Sequence, residues 1–168
     1  NEAHRIDQAV AHLERAAHVA LEAGVFDRVE LAYGDCSPKD GLRQTVQAHG
    51  REGSALAAVE YHFFDANLGS AQGHNRLLDL GNSEFVLIMN PAIMMAPNAI
   101  VELARVFSDK RIGMAEAKQL PIEHPKQYDA GTGDTPWAAT ACTLIPREVS
   151  SALAGFDHET FFLYCDDV

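Results

Sequence analysis

Short apolar runs alternate along this chain with segments whose apolar residues recur every three or four positions, and this alternation restricts the possible fold most strongly. The runs at 29–33, 56–64 and 85–89 have the length and the β-branched or aromatic content of strands. Residues 5–23, 42–49, 71–80 and a stretch after Pro97 have helical periodicity. Strands and helices that alternate three times or more predict an α/β fold with a mostly parallel sheet.

The most apolar run, at 85–89, is typical of a central strand covered on both faces. Residues 112–120 and 140–145 are candidate later strands, and the Gly-rich segment around 129–134 reads as a loop. We expect a single domain over 1–168. Ligands of such sheets bind beyond the carboxyl ends of the strands, so the candidate binding positions are Asp35, Asn67–Asn75 and Asn90–Ala92, which all follow predicted strands.

Charge and cysteine content exclude several classes of protein. The chain has 13 lysines and arginines against 24 aspartates and glutamates, a formal net charge of −11, which argues against binding nucleic acid or anionic lipid through a basic face. No apolar run approaches the ~20 residues that span a bilayer. Three cysteines without a Cys-x-x-Cys pair indicate neither a disulfide framework nor a thiolate zinc site. A cytoplasmic location is the expectation, including the inner face of a membrane.

The segment 67–75, Asn-Leu-Gly-Ser-Ala-Gln-Gly-His-Asn, joins a predicted strand to a predicted helix. Gly69 can adopt a positive φ in the turn, and Gly73 allows another backbone or a ligand to come close. The N–H groups at the start of the helix are suited to holding a phosphate. The alternative is a simple strand–helix turn in which Gly73 makes a packing contact.

Acidic and amide side chains provide further candidates. Asp35 is placed to accept a hydrogen bond from a nucleobase or ribose, or alternatively to cap its own turn. Asp166 and Asp167 follow an aromatic segment, where a carboxylate can act as a general base; the alternative is a solvated acidic pair. The histidines lack metal-site spacing, and Cys165 is interpreted as an apolar-like thiol.

Three blocks in order resemble family 2 glycosyltransferases of the GT-A fold, most closely their rhamnosyltransferase-like branch. The blocks are Asn67-x-Gly-Ser-Ala-Gln-Gly-His-Asn75, Glu84-Phe-Val-Leu-Ile-Met-Asn-Pro91 and Gly155-Phe-Asp-His-Glu-Thr-Phe-Phe-Leu-Tyr-Cys-Asp-Asp-Val168. The turn at 33–38 is similar to the base-binding turn of that family. This resemblance implies a three-layer GT-A sandwich and transfer of a sugar, with inversion, from a nucleotide diphosphate donor to a glycan or lipid-linked acceptor, as in polysaccharide and cell-wall biosynthesis.

The resemblance also implies roles for individual residues. Asp167 would be the base that deprotonates the acceptor hydroxyl, and Asp166 would orient it. Asp35 would contact the nucleobase. The remaining nucleotide-binding positions implied by the resemblance are Asn67, Gly69, Gly73, His74, Asn75 and Asn90.

The sequence departs from that family in three ways. Ala92 stands where the family has a metal-binding Asp, and a methyl group cannot ligate Mg²⁺ or Mn²⁺; no metal ligands are therefore assigned, although the family implies a divalent cation. The family's first strand and its C-terminal acceptor region are not seen in the sequence. These departures keep two alternatives open: a glycosyltransferase-like binding or scaffold domain without activity, and, more remotely, a sugar nucleotidyltransferase.

Overall fold

The computed structural model describes residues 2–109, 111–121 and 125–162. Helices and strands alternate from the first helix to the fourth, so the protein is α/β, as the sequence predicts. In chain order the elements are α1 (Glu2–Glu22), β1 (Glu30–Asp35), α2 (Arg43–Gln47), β2 (Ala58–Phe63), α3 (Gly69–Leu78), β3 (Phe85–Met89), α4 (Ala99–Val106), β4 (Ala115–Glu116), β5 (Cys142–Pro146) and α5 (Arg147–Ala152).

The strands form two small sheets. In the first, β1 and β2 pair in parallel, from Glu30 opposite Ala58 to Asp35 opposite Phe63. In the second, β5 lies between β3 and β4 and is antiparallel to both. Among the described strands the expected parallel arrangement is therefore limited to the β1–β2 pair.

Two strand predictions need correction. The strand predicted over 112–120 is limited to Ala115–Glu116, because only these two described residues of the segment are in register with β5. The strand predicted to be central, β3, is at an edge of its described sheet, and β5 is in the middle. Burial agrees with this order: Cys142 to Ile145 of β5 are all buried, whereas four of the five β3 residues are only half-buried.

A single apolar core joins the two sheets through α1. One stripe of this helix is buried at spacings of three and four residues, and the helix lies against α2 and α4. The stripe comprises Ile6, Ala9, Val10, Leu13, Ala16, Ala17 and Ala20. It packs with Tyr61 from one sheet and Leu144 from the other. Within the described ranges, no helix has the length and apolarity needed to cross a membrane.

Arg147 fixes the end of α3 to the second sheet. Its Nη1 donates to the carbonyl of Leu78, at 2.9 Å, and its Nε donates to the carbonyl of Ser83, at 2.6 Å. Its main-chain N–H donates to the carbonyl of Glu84, at 2.8 Å, and this bond extends the β3–β5 ladder by one step. One arginine thus satisfies a carbonyl at the end of a helix, where no intrahelical donor is available.

Candidate functional site

The turn after β1 is built around Asp35, which is only 4% exposed. One carboxylate oxygen accepts the main-chain N–H of Ser37, at 2.8 Å, and the other accepts the hydroxyl of Tyr61. Both oxygens of the carboxylate are therefore engaged within the protein. Asp35 therefore caps its own turn, the alternative that the sequence left open. Its predicted contact with a nucleobase stays a prediction.

Aromatic and basic groups surround this carboxylate. The rings of Tyr33 and Tyr61 stack with centroids 5.9 Å apart, and the Arg43 guanidinium lies 4.7 Å from the Tyr61 ring centroid. Burial, followed by the negative charge of Asp35, raises the pKa of Tyr33 to about 12. Burial and the hydrogen bond to Asp35 raise the pKa of Tyr61 as well. Both phenols therefore stay protonated, and Tyr61 acts as the donor to Asp35.

The start of α3 is held by the segment that follows α5. Gly69 has φ +73°, and a Cβ at this position would lie 1.9 Å from the carbonyl oxygen of Phe162. That oxygen accepts the N–H of Ser70, at 3.1 Å, and the Gly69 N–H is directed to Asn67 Oδ1, at 3.4 Å. Two main-chain donors of the predicted phosphate site thus already have partners in the protein. The predicted positive φ at Gly69 is confirmed.

Gly73 and His74 lie one turn further along α3. A Cβ built on Gly73 would have only the Cys36 sulfur nearby, at 3.8 Å, an ordinary van der Waals distance. Gly73 is buried, and a β-carbon would have room there, so the alternative that Gly73 makes a packing contact stays open. The His74 ring packs against Phe156, with centroids 5.7 Å apart.

Asn75 joins α3 to the loop after α5. Its Nδ2 donates to the carbonyl of Phe156 and its Oδ1 accepts the Phe156 N–H, both at 2.8 Å, across 81 positions of sequence. Its Nδ2 also lies 3.3 Å from Nδ1 of His158. A side-chain amide that pairs with both groups of one peptide unit has little freedom to rotate. Asn75 thus positions a loop, whatever further contact it makes with a ligand.

The turn after β3 contains no carboxylate. Asn90 is exposed, and its Oδ1 accepts the N–H of Ala92, at 3.0 Å, so the amide oxygen is used within the turn. No cluster of three potential metal ligands is found in the part of the chain that the structure describes. The Asn90–Ala92 turn itself does not suit the divalent cation that the family resemblance implies.

The structure brings some of the predicted residues to one cleft. Gly69, Gly73 and His74 line it together with Cys36, which follows β1, and Pro91, which follows β3. The lining does not include Asp35, Asn67, Asn75 or Asn90, which lie in the surrounding turns. The predicted base Asp167 and its neighbour Asp166 lie outside the described residues.

The partners that hold these turns are not predictable from the sequence. Tyr61 and Phe156 carry no local sequence signal, because each meets its partner across a large separation in the chain. The buried ion pair between Lys126 and Glu116, whose side chains are 4% and 8% exposed, is likewise not predictable from the sequence. The ammonium of Lys126 also lies 4.1 Å from the Trp137 ring centroid, so this pair anchors the loop before β5. In the sequence Lys126 and Glu116 are only two separate charged residues, ten positions apart.

Comparison of the chain with models of known protein families, with characterised proteins and with solved structures finds no match. The assignment of a function therefore depends on the residues themselves and on the geometry of the cleft.

Proposed function

We propose that this protein is a GT-A-type glycosyltransferase that moves a sugar, with inversion, from a nucleotide diphosphate donor to a glycan or lipid-linked acceptor. The proposal rests on the three ordered sequence blocks. It is also supported by the contact between two of those blocks, far apart in sequence, at α3, the helix that packs against β1.

The observation that carries the proposal is the pairing of Asn75 with Phe156. It joins the first block, at 67–75, to the start of the third, at 155–168, by two hydrogen bonds of 2.8 Å between the Asn75 side-chain amide and the main chain of Phe156. The Phe162 carbonyl makes a second connection, to Ser70. In an enzyme of this type the glycine-rich block faces the donor and the third block supplies the base, so the two must lie close together for the reacting groups to meet.

The proposed chemistry is a direct displacement. Asp167 takes the proton of the acceptor hydroxyl, and the oxygen attacks the anomeric carbon as the bond to the nucleotide diphosphate breaks. The new bond forms on the face opposite the leaving group, so the configuration inverts. The candidates for contact with the diphosphate are the imidazole of His74 and the main-chain donors in the first turn of α3 other than those of Gly69 and Ser70.

A second candidate function is binding without transfer. The observation that favours it is the turn after β3, where Ala92 offers only a methyl group and the Asn90 amide oxygen is already bonded. Loss of charge stabilisation at the leaving diphosphate would slow transfer strongly. A domain of this kind would bind a nucleotide or serve as a scaffold.

Calorimetric titration tests binding first. UDP, dTDP and GDP are titrated separately into the protein, each with and without Mn²⁺. Binding of at least one nucleotide supports a donor site, and Gly73→Leu, which places a side chain in the cleft, should weaken it at least tenfold. Asp129→Asn, in an exposed loop remote from the cleft in sequence, is the matched control. If no nucleotide binds, the transferase proposal is wrong.

Transfer of a labelled sugar separates the two functions. The chain is incubated with nucleotide-sugars and a panel of glycan and lipid-linked acceptors, and Asp167→Asn is compared with the parent protein. Loss of transfer by at least a hundredfold, with nucleotide binding retained, supports Asp167 as the base. Nucleotide binding without turnover on any acceptor would favour the scaffold function, and transfer that survives Asp167→Asn unchanged would exclude the assigned base.

A further inference from the structure

A histidine is buried where the end of α2 meets α1. His49 follows the last residue of α2 by two positions, and its main-chain N–H donates to the carbonyl of Val46, at 3.2 Å, so the ring is attached closely to that helix. The side chain is only 8% exposed. Histidine is the side chain whose charge changes most readily near neutral pH, and the proposed sugar transfer does not involve this one.

Each ring nitrogen of His49 faces a carboxylate of α1. Nε2 lies 3.0 Å from Oδ1 of Asp7, and Nδ1 lies 3.7 Å from Oε2 of Glu14. Seven positions separate the two acidic residues, about two turns of helix, so both lie on the same face of α1. The ring is therefore placed between two negative charges that come from one helix.

The two contacts of the ring are not equivalent. An ionised carboxylate can only accept a hydrogen bond, so Nε2 carries the proton that Asp7 binds. In the neutral ring Nδ1 then has a lone pair that faces Glu14, and this buried nitrogen has no hydrogen-bond partner among the described residues. A second proton, on Nδ1, gives the ring one donor for each carboxylate. Only the charged form of His49 is thus matched to both of its neighbours.

The other groups around the ring also suit a charged imidazole. Arg51 donates to both oxygens of Glu14, at 3.0 and 3.1 Å, and holds this carboxylate beside the ring. The two carboxylates and this guanidinium leave one net negative charge, which a second proton on His49 neutralises. β2, which packs against α2, contributes only the apolar side chain of Val59 next to this segment. We call the set Asp7, Glu14, His49 and Arg51 the α1–α2 junction.

The α1–α2 junction lies at one end of α2, and the other end of this helix reaches the surroundings of Asp35. The guanidinium of Arg43, the first residue of α2, lies 4.7 Å from the ring centroid of Tyr61, whose hydroxyl donates to Asp35. The helix is only five residues long. The position of α2 against α1 therefore bears on the packing around the turn after β1.

We propose that His49 makes the α1–α2 junction sensitive to pH. Uptake of a second proton draws Glu14 onto Nδ1, and the two charge-assisted bonds of the ring then hold α2 more tightly against α1. Imidazole groups take up this proton at about pH 6.5, so the junction tightens as the pH falls through the range just below neutrality and loosens as it rises. This pH response is independent of the proposed function, because it concerns only the packing of the two helices.

Amide hydrogen exchange at two pH values tests the proposal. Protection factors, which correct for the intrinsic effect of pH on exchange, are measured at Val46, Ala48 and His49, whose N–H groups are hydrogen-bonded at the end of α2. We expect these factors to rise at least about threefold from about pH 7.5 to about pH 5.5. In His49→Gln, whose amide can still donate to Asp7 but does not titrate, the rise should be absent. No rise in the parent protein, or an equal rise in His49→Gln, would overturn the proposal.

A second variant changes the carboxylate and leaves the histidine in place. In Glu14→Gln the new amide can donate to Nδ1 of the neutral ring, so the ring no longer needs a second proton to be paired on both sides. The rise in protection at α2 should then be less than about half of that in the parent protein. An undiminished rise would contradict the proposal, and this result decides the question even where His49→Gln does not fold.

A second histidine that contacts a distant segment provides the matched control. His12 of α1 donates from Nδ1 to the carbonyl of Met95, at 3.1 Å, and the neutral ring already satisfies this bond. The pH-dependent rise in protection at α2 should therefore persist in His12→Gln. Loss of the rise in His12→Gln to the same extent as in His49→Gln would show that the response does not arise at the α1–α2 junction, and would overturn the proposal.

Discussion

The two turns that follow β1 and β2 were both predicted to bind a nucleotide, but they are held in different ways. The turn after β1 is stabilised inside its own sheet, where Asp35 bonds to Ser37 two residues on and to Tyr61 of the adjacent strand. The turn into α3 depends on a distant segment, through the contacts of Ser70 and Asn75 with Phe162 and Phe156.

This difference shows which turn can change shape independently. Rearrangement of the Asp35 turn requires a buried carboxylate to lose its partners, which is costly. The start of α3 can move only if the segment 155–162 moves with it, so the two form one unit. A ligand that shifts the α3 turn would therefore also shift the segment 155–162, which precedes Asp166 and Asp167 in the chain.

Gly69→Ala should cause the largest loss of stability, because it disrupts the contact between the start of α3 and Phe162. The Cβ would overlap the Phe162 carbonyl and also require a positive φ, and we expect a loss of about 3–4 kcal/mol in the free energy of unfolding. Gly24→Ala is the matched control, since Gly24 has φ +64° with open space around it, and should cost only about 1 kcal/mol. Equal losses in chemical denaturation would show that the Phe162 contact is unimportant.

Asp35→Ala should cause the next largest loss of stability, because it removes the hydrogen bonds that hold the turn after β1 within its own sheet. It leaves the Tyr61 hydroxyl and the Ser37 N–H without their acceptor, which should cost about 2–3 kcal/mol. Asp35→Asn keeps one acceptor and should cost about half as much. A double-mutant cycle with Tyr61→Phe measures the coupling, and additivity of the two changes would argue against the bond.

Asn75→Ala removes both bonds to Phe156 and should lower stability by about 2 kcal/mol. Its characteristic signature is faster hydrogen exchange confined to 155–162, with exchange in β1 and β2 unchanged. Glu159→Ala, which affects an exposed side chain of the segment 155–162, is the control and should stay within about 0.5 kcal/mol. Uniformly faster exchange would mean that Asn75 supports the whole fold and not the loop.

Gly73→Ala should stabilise the protein by about 1 kcal/mol, because alanine favours the helix and the new methyl group has room beside Cys36. If Gly73 is glycine for the sake of a ligand, the same variant should weaken nucleotide binding. Melting temperature and calorimetry are compared on one preparation. Stabilisation with unchanged nucleotide affinity would leave Gly73 without a role in the site.

The smallest effect is expected in the alkaline range. The pKa of Tyr33 is about 12 in the folded protein, above the ordinary value of about 10, so folding favours the protonated phenol. Its contribution is complete below pH 10 and is lost as the pH rises toward 12. Tyr33→Phe should reduce the fall in stability across this window. The exposed Tyr128→Phe should not, and a similar effect of both would contradict the assignment.

The sequence predicted local features far better than long-range ones. The strand at 85–89 and the turn glycine at 69 follow from apolar content and from conformational freedom, which are properties of neighbouring residues. The place of β3 at a sheet edge could not be predicted, because it depends on β5, which joins the sheet more than fifty positions later. The same limit hid Tyr61 and Phe156, whose roles exist only after the fold has brought them to Asp35 and Asn75.

Arg147 also bears on the order in which the protein can fold during synthesis. The end of α3 and the start of β3 are completed by this one residue, which lies 69 positions beyond Leu78. A nascent chain that has produced α3 but not yet β5 therefore has an unfinished helix terminus and an exposed β3. The first sheet can form early, whereas the second must wait for almost the whole polypeptide. Slow translation between residues 90 and 147 would prolong exposure of that apolar strand, and with it the opportunity for aggregation.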